Sequence, residues 1–273
     1  MLRPETTSEN ARLDNASIQM AANALFDARA RLQQIRPLRE THTLLDSNEA
    51  YRVQERNTAR HLAAGRRLVG RKIGLTSKAV QAQLGVDQPD YGMLWEDLGF
   101  KSGEQVPASR FIQPRVEAEI AFVLAKDLTD EMLDLKEVEA ALDYALAAVE
   151  IVDSAIANWD IRLIDTIADN ASAGGYVLGT TPRSLRDVDL RLCGMVLTRN
   201  GEPVSLGVGA ACLGHPLNAV WWLARKMIEV ERPLRAGDLV LSGALGPMIP
   251  MRAADHFIAE IQGFAPLIVN VGS

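Results

Sequence analysis

The chain has 273 residues, of which 48% are hydrophobic and 23% charged, and its formal net charge is −6. This composition is typical of a globular protein with a substantial core, and the acidic balance argues against a nucleic-acid partner. The two cysteines have no metal-binding or disulfide spacing, and the N-terminus lacks the apolar core of a signal peptide. We therefore expect a cytoplasmic protein that acts on small molecules, with no membrane span and no zinc site.

The first part of the chain is predicted to be helical. Apolar residues recur at helical spacing from residue 16 to about residue 34. A second helix is predicted over residues 47–64, because Asp46 and Glu49 have the spacing of a capping box. Residues 1–66 are thus predicted to form an N-terminal helical arm.

Residues 67–273 are predicted to form one domain that is rich in strands. A strand is expected over residues 68–74, a short helix over 77–84, and a tight turn over Gln88–Gly92. Asn200-Gly201 is a strong hairpin signal. Further strands are predicted near residues 115–125, 144–152, 174–179, 189–199, 203–208, 238–242, 256–262 and 266–271. Further helices are predicted near residues 135–142, 160–169 and 215–229.

Three glutamates interrupt strands that otherwise have the pattern of a protein core. Glu117 and Glu119 lie in the predicted strand 115–124, where residues two apart share a face, and Glu150 lies in the apolar stretch 145–152. Burying unpaired carboxylates costs several kcal/mol, and a metal ion would offset that charge. An all-oxygen ligand set suits Mg²⁺ or Mn²⁺ and leaves coordination positions for water or substrate. The alternative is an exposed edge strand, with Glu150 paired to an arginine.

Two further residues are candidates for acid–base chemistry. Lys72 has apolar neighbours and lies between Gly70 and Gly74, so a dry pocket could lower its pKa; the alternative is a surface lysine. Asp90 lies in the predicted turn and could serve as a second acid or base, although most such turns are only turns. Three polar residues further along either support such a site or cap a helix: Asp165, Asp169 and Asn170.

Several long segments together resemble one known family. They are Lys72–Gln81, Leu84–Gly92, Gln113–Glu119, Glu150–Ser154, Asp165–Ser172, Gly214–Ala224 and Leu241–Leu245. From about residue 40 to the C-terminus, the chain resembles the 2-hydroxypenta-2,4-dienoate (2-keto-4-pentenoate) hydratases of the fumarylacetoacetate hydrolase superfamily. The resemblance implies an α+β fold in which a mixed β-sheet/β-roll core forms the catalytic domain behind the N-terminal arm.

The resemblance also implies roles for individual residues. It assigns an Mg²⁺ or Mn²⁺ site to Glu117, Glu119 and Glu150, and an acid–base pair to Lys72 and Asp90. Substrate-binding positions are expected at Arg115, Ser242 and Gly243, although Arg115 could instead pair with a neighbouring glutamate. The implied activity is that of a hydro-lyase, which adds water to a 2-hydroxy-2,4-dienoate from aromatic or steroid catabolism and forms a 4-hydroxy-2-oxoalkanoate.

Three alternatives to the hydratase remain open, and the first of them shares its metal ligands and fold. The first is a 2-oxo-3-enedioate (4-oxalocrotonate) decarboxylase, the second an acylpyruvate-type hydrolase, and the third a non-catalytic partner subunit. The resemblance further implies a homo-oligomer, with a downstream aldolase or a sister decarboxylase as further partners.

Overall fold

Two β-sheets and seven α-helices make up the described part of the chain, residues 6–42, 46–84 and 86–273 of a computed structural model. The helices are α1 Thr6–Arg31, α2 Leu38–Thr41, α3 Ser47–Ala63, α4 Lys78–Leu84, α5 Leu135–Ala141, α6 Leu163–Ala168 and α7 Pro216–Glu229. The strands are β1 Leu68–Gly74, β2 Asp90–Trp95, β3 Gly99–Lys101, β4 Gln105–Pro107, β5 Arg115–Leu124, β6 Leu142–Val152, β7 Ala173–Leu178, β8 Gly194–Arg199, β9 Glu202–Val208, β10 Leu239–Leu241, β11 Ile249–Pro250, β12 His256–Ile261 and β13 Leu267–Gly272.

Both sheets are mixed, and they share one core. The larger sheet has the order β2-β1-β10-β5-β6-β7-β3, with β11 also paired to β5, and the smaller has the order β4-β13-β12-β8-β9. Phe122 and Ile120 of β5 belong to the same buried cluster as Phe257 of β12, Val269 of β13 and Leu197 of β8. This arrangement of helices around mixed sheets confirms the predicted α+β class.

Strand β5 lies in the middle of the larger sheet, between β10 and β6. One of its faces carries Val116, Ala118, Ile120 and Phe122, all of them at most 1% exposed, because alternate residues of a strand point to one side. The other face begins with the two glutamates. Because β5 is central, Glu117 and Glu119 lie in the interior of the protein and not at an edge of the sheet.

The N-terminal helices pack on the rest of the chain through a second apolar cluster. Leu25 of α1 and Val53 of α3 share this cluster with Ile156 and with Ile167 of α6. Helix α3 is capped by Asp46, whose side chain accepts a hydrogen bond of 2.9 Å from the Glu49 amide. The described helices include none that is long and apolar enough to cross a bilayer. The division of the chain at residue 66 stays a prediction.

The sequence-based elements agree with most of the structure but fail at specific places. Helix α1 starts at Thr6, ten residues before the predicted start, and β8 starts at Gly194 rather than at residue 189. The segment Gln88–Gly92 is not simply a tight turn, because Asp90 opens the buried strand β2, which pairs with β1. That strand is buried along its whole length and has no polar alternation to indicate it. The predicted hairpin at Asn200-Gly201 is confirmed, since both residues have positive φ between β8 and β9.

We expect Leu25→Ala to lower the free energy of unfolding by about 2–5 kcal/mol, because it leaves a cavity between the arm and the core. Leu62→Ala removes the same atoms from a helical side chain of the arm that is 48% exposed, against 2% for Leu25. It should cost less than about 1 kcal/mol. Urea unfolding followed by circular dichroism measures both variants, and equal losses would contradict a packed interface.

Candidate active site

The three glutamates converge on one face of the larger sheet. Glu117 of β5 lies directly opposite Glu150 of β6 in the antiparallel register, and Glu119 is two residues further along β5. One carboxylate oxygen from each residue lies within 4.8 Å of those from the other two. Glu119 and Glu150 are fully buried, and Glu117 is half-buried and lines a cavity. The structure thus brings together the three predicted metal ligands.

The three clustered carboxylates carry more negative charge than the hydrogen bonds around them compensate, which favours a bound cation. Among the residues that the structure describes, no hydrogen-bond donor reaches the buried Glu119 Oε1 or Glu150 Oε2. Burial, followed by repulsion from Glu150, raises the pKa of Glu117 to about 7. Burial and repulsion from Glu150 and Glu117 raise the pKa of Glu119 well above its ordinary value. Buried carboxylate oxygens without donors, in an all-oxygen set, fit a hard divalent metal ion.

One wall of the cluster is fixed by a backbone amide. The Gly243 N–H donates a 2.9 Å hydrogen bond to Glu119 Oε2. Gly243 has φ of +109°, a conformation that favours glycine, and a Cβ at this position would collide with the side chain of Thr76. A glycine is therefore needed here to bring the amide to the carboxylate.

Lys72 lies on β1, and its side chain is buried against the glutamates. Its Nζ is 3.0 Å from Glu150 Oε1 and donates a 3.0 Å hydrogen bond to the backbone carbonyl of Ala171. Burial lowers the pKa of Lys72, but the charges of Glu150 and Asp90, together with those of the other two glutamates, outweigh burial and raise it. The expectation that a dry pocket lowers the pKa of Lys72 is therefore wrong, because the pocket is acidic as well as dry.

Asp90 stands beside Lys72 at the start of β2. It pairs with Gly74 of β1, and a Cβ on Gly74 would collide with Asp90 Oδ1 and lie 3.3 Å from Lys72 Nζ. The backbone amide of Gly74 and the hydroxyl of Thr166 favour the charged form of its carboxylate and act to lower its pKa. Burial raises the pKa of Asp90, and the nearby Lys72 opposes that rise only in part. The predicted acid–base pair is thus brought together.

These groups line one side of a cavity of about 430 Å³. Lys72, Asp90 and Glu117 supply polar groups to it. Its apolar lining includes Val152, Trp159, Ile161, Val208, Leu245 and Met248. The arrangement suits a small acid whose charged end meets the polar groups while its carbon chain contacts the apolar wall.

The three predicted substrate-binding residues lie outside the lining of this cavity. The Arg115 guanidinium stacks over the Trp159 ring at 4.3 Å, on a residue that does line the cavity. Ser242 is fully buried, and Gly243 acts on Glu119. Their substrate-binding roles stay predictions.

Sequence reasoning missed three contributors to the site. Trp159 supplies part of the cavity wall, Thr166 lines the cavity and acts to lower the pKa of Asp90, and the Ala171 carbonyl accepts a hydrogen bond from Lys72. A backbone carbonyl has no signature in a sequence. Thr166 could have been noticed, since it lies in the same polar segment as Asp165 and Asp169.

Comparison with known proteins identifies the family of this chain. Residues 53–272 match the family described as the fumarylacetoacetate (FAA) hydrolase C-terminal domain. The chain belongs to the fumarylacetoacetate hydrolase family. Within it, the chain is 56% identical to the TodF product hydratase of Pseudomonas putida, over 90% of this chain and 92% of that protein. It is 55% identical to the 2-keto-4-pentenoate hydratase of Paraburkholderia xenovorans, over 89% and 90% of the two chains. The resemblance drawn from the motifs is confirmed.

A solved structure of the family has the same overall fold. The 4-oxalocrotonate decarboxylase from Pseudomonas putida G7, complexed with magnesium and adipate, is 34% identical with a TM-score of 0.90. The match covers 94% of this chain and 98% of the decarboxylase. The fold of this family therefore accommodates more than one reaction, and the choice between them depends on the cavity.

We expect Gly243→Ala to lower the free energy of unfolding by more than about 2 kcal/mol, since it combines a strained φ with a collision at Thr76. Gly65→Ala is the matched control, because Gly65 also has a positive φ, of +81°, but no described atom lies within 4 Å of the position that a methyl group would take there. It should cost about 1 kcal/mol. Urea unfolding compares the two variants, and equal losses would mean that the loop at Gly243 yields to the methyl group.

Proposed function

We propose that this protein is a metal-dependent hydro-lyase that adds water to a 2-hydroxy-2,4-dienoate. The substrate is 2-hydroxypenta-2,4-dienoate or a slightly longer homologue, and the product is a 4-hydroxy-2-oxoalkanoate in the catabolism of aromatic compounds or steroids. The observation that carries the proposal is the joint placement of three glutamates, Lys72 and Asp90 beside one largely apolar cavity. Relatives that cover about nine-tenths of the chain and are named as hydratases support it.

Glu117, Glu119 and Glu150 would hold the metal ion, and Mg²⁺ or Mn²⁺ suits their oxygen donors best. When bound, a divalent ion supplies Lewis-acid stabilisation of negative charge on a chelating 2-oxo acid. The Gly243 amide orients Glu119 for this role. Lys72 compensates part of the charge of Glu150 and keeps its own amine beside the ligand set.

The reaction requires proton transfers at two carbon atoms, C5 and C3, and at the C2 hydroxyl, and it consumes one water. C5 of the dienol gains a proton while the hydroxyl on C2 loses one, which leaves a ketone conjugated to a double bond between C3 and C4. Water then adds its oxygen at C4 while C3 gains a proton, so that the atoms balance with one water consumed. Lys72 and Asp90 are the groups that hold and move these protons, since both line the cavity beside the glutamates.

The apolar wall favours a hydratase over the decarboxylase. An enedioate has a second carboxylate at the far end of its chain, and that group needs a cation or several donors when it is buried. Of the described residues that line the cavity, Lys72 is the single cationic one, and it already contacts Glu150. The described lining residues also include no histidine to activate water for an acylpyruvate hydrolase. A homo-oligomer, partner enzymes and a cytoplasmic location remain predictions that accompany this function.

Product analysis tests the proposal directly. The purified protein is incubated with 2-hydroxypenta-2,4-dienoate, with a 2-oxo-3-enedioate or with an acylpyruvate, in each case once with added Mg²⁺ or Mn²⁺ and once with a chelator. A 4-hydroxy-2-oxo acid that forms only with metal supports the hydratase. Release of carbon dioxide from the enedioate would indicate the decarboxylase. Formation of two shorter acids from an acylpyruvate would indicate the hydrolase. No turnover of any of these substrates would indicate a non-catalytic subunit.

We expect Glu117→Gln to abolish metal-dependent turnover while the protein stays folded, because it removes the ligand charge at nearly constant volume. Binding of Mn²⁺, followed by electron paramagnetic resonance, should weaken at least about tenfold. Glu260→Gln is the control, since Glu260 is an exposed strand residue of the smaller sheet. Near-normal activity of Glu117→Gln would remove the metal site from the mechanism.

We expect Asp90→Asn and Lys72→Met each to lower kcat by about 10²- to 10⁴-fold, because each removes a group that transfers a proton. Asp90→Asn should leave Mn²⁺ affinity within a few-fold of the wild type, since Asp90 is not one of the clustered ligands. Lys101→Met replaces an exposed strand lysine and should behave like the wild type. Steady-state kinetics on the dienoate measures the effect, and a kcat within threefold of the wild type would exclude the residue from proton transfer.

A further inference from the structure

A short segment with an unusual backbone supports the amine of Lys72. Asn170, Ala171 and Ser172 follow α6 and have φ values of 57°, 51° and 55°. Three consecutive residues with side chains thus occupy the left-handed region, which is normally left to glycine. Such a conformation persists only where surrounding contacts determine it, and here it directs the Ala171 carbonyl to Lys72 Nζ at 3.0 Å.

Side chains on both sides of the segment hold it in place. The Asn170 side chain clamps β2, since its Oδ1 accepts from the Met93 amide at 2.7 Å and its Nδ2 donates to the Met93 carbonyl at 3.0 Å. On the other side, the Ser172 carbonyl accepts a 2.8 Å hydrogen bond from the amide of Asp153. Asp169 immediately precedes the segment, and its carboxylate accepts a 2.7 Å hydrogen bond from the Ala155 N–H.

One arginine of the N-terminal arm contacts both of these acidic residues. Arg29 of α1 donates from Nε and Nη2 to the two carboxylate oxygens of Asp169, at 3.0 and 2.8 Å. Its Nη1 lies 2.8 Å from Asp153 Oδ2, and its Nη2 also contacts the Asp153 carbonyl. Both carboxylates are 2% exposed, whereas Arg29 is 27% exposed. A single guanidinium therefore joins the segment that receives Lys72 to the residue three places beyond Glu150.

We propose that Arg29 is a positioning residue for the hydration reaction. Through Asp169 it fixes the segment 169–172, whose last three residues are left-handed, and through the Ala171 carbonyl that segment fixes the amine of Lys72 beside the cavity. Through Asp153 the same guanidinium fixes the chain just after β6, which carries Glu150. The N-terminal arm is then a working part of the active site, although none of its described residues lines the cavity. The inference rests on the proposed function of Lys72.

Arg29→Lys tests this inference, because lysine keeps the charge but cannot bridge both carboxylates with the fork of a guanidinium. We expect kcat on the dienoate to fall about 10- to 100-fold, the usual effect of misplacing a catalytic group by about an ångström. KM and Mn²⁺ affinity should change less than threefold, since Arg29 does not line the cavity and the pairing of β5 with β6 holds Glu117 opposite Glu150. Asp169→Asn should likewise lower kcat while KM and Mn²⁺ affinity stay nearly unchanged. Because it breaks the same contact from the other side, it separates loss of positioning from a folding defect that is specific to Arg29→Lys.

Arg66→Lys is the matched control. Arg66 borders the same arm-to-core cavity as Arg29, is 24% exposed, and donates from Nε and Nη2 to one carboxylate, that of Asp97. Its other contacts within the described chain are with His61 and Trp95, away from the segment 169–172. All variants are compared at a temperature where circular dichroism shows them folded, and a kcat for Arg29→Lys within threefold of that for Arg66→Lys would overturn the positioning role.

A second readout does not depend on turnover. Amide hydrogen exchange of peptides that cover residues 169–173 should become at least about tenfold faster in Arg29→Lys than in Arg66→Lys, because the left-handed segment loses its anchor. Unchanged exchange would overturn the inference even in an active enzyme. If exchange is faster in Arg29→Lys but the wild type hydrates no dienoate, the proposed function has failed, while the mechanical link from Arg29 to the segment stands.

Discussion

The concentration of acidic groups in a dry interior is the constraint on which the rest of the site depends. Four carboxyl groups, those of Glu117, Glu119, Glu150 and Asp90, surround the ammonium of Lys72. In a medium of low polarity such a set is unfavourable unless protons or a cation reduce its charge. Burial and repulsion among these acidic groups raise the pKa values of the three glutamates, and a divalent ion held by them would offset the repulsion.

The backbone around the cavity is as specialised as its side chains. Four of its lining residues other than glycine have positive φ: Leu75, Trp159, Ala171 and Ser172. Each such conformation costs about 1–3 kcal/mol, so the surrounding packing must offset the cost. Two glycines contribute through the absence of a side chain. Gly74 leaves room for the carboxylate of Asp90, and Gly243 brings its own amide to Glu119 at a position where a methyl group would collide with Thr76. The polar groups of the cavity are thus positioned by backbone conformations that only the packing of the folded protein maintains.

The sequence predicted the glutamate cluster because a strand has a period of two, which makes an acid on an apolar face easy to notice. It could not predict that Glu117 lies opposite Glu150, because register depends on contacts between distant strands. The turn made Asp90 only a weak candidate for an acid or base, and its pairing with Lys72 was predicted from the family resemblance, since its strand lacks alternation. Arg29 was missed because an arginine within a helix is ordinary, and its importance comes from two carboxylates more than 120 residues away in the sequence.

The matched family region begins at residue 53, which places α1 and Arg29 outside it. A fragment cut at that boundary would keep all three proposed metal ligands, Glu117, Glu119 and Glu150, and both residues that we propose transfer protons, Lys72 and Asp90. It would nevertheless leave Asp153 and Asp169 as two adjacent buried anions without their shared counter-ion. The region that the family model matches is therefore smaller than the unit that we propose folds and works.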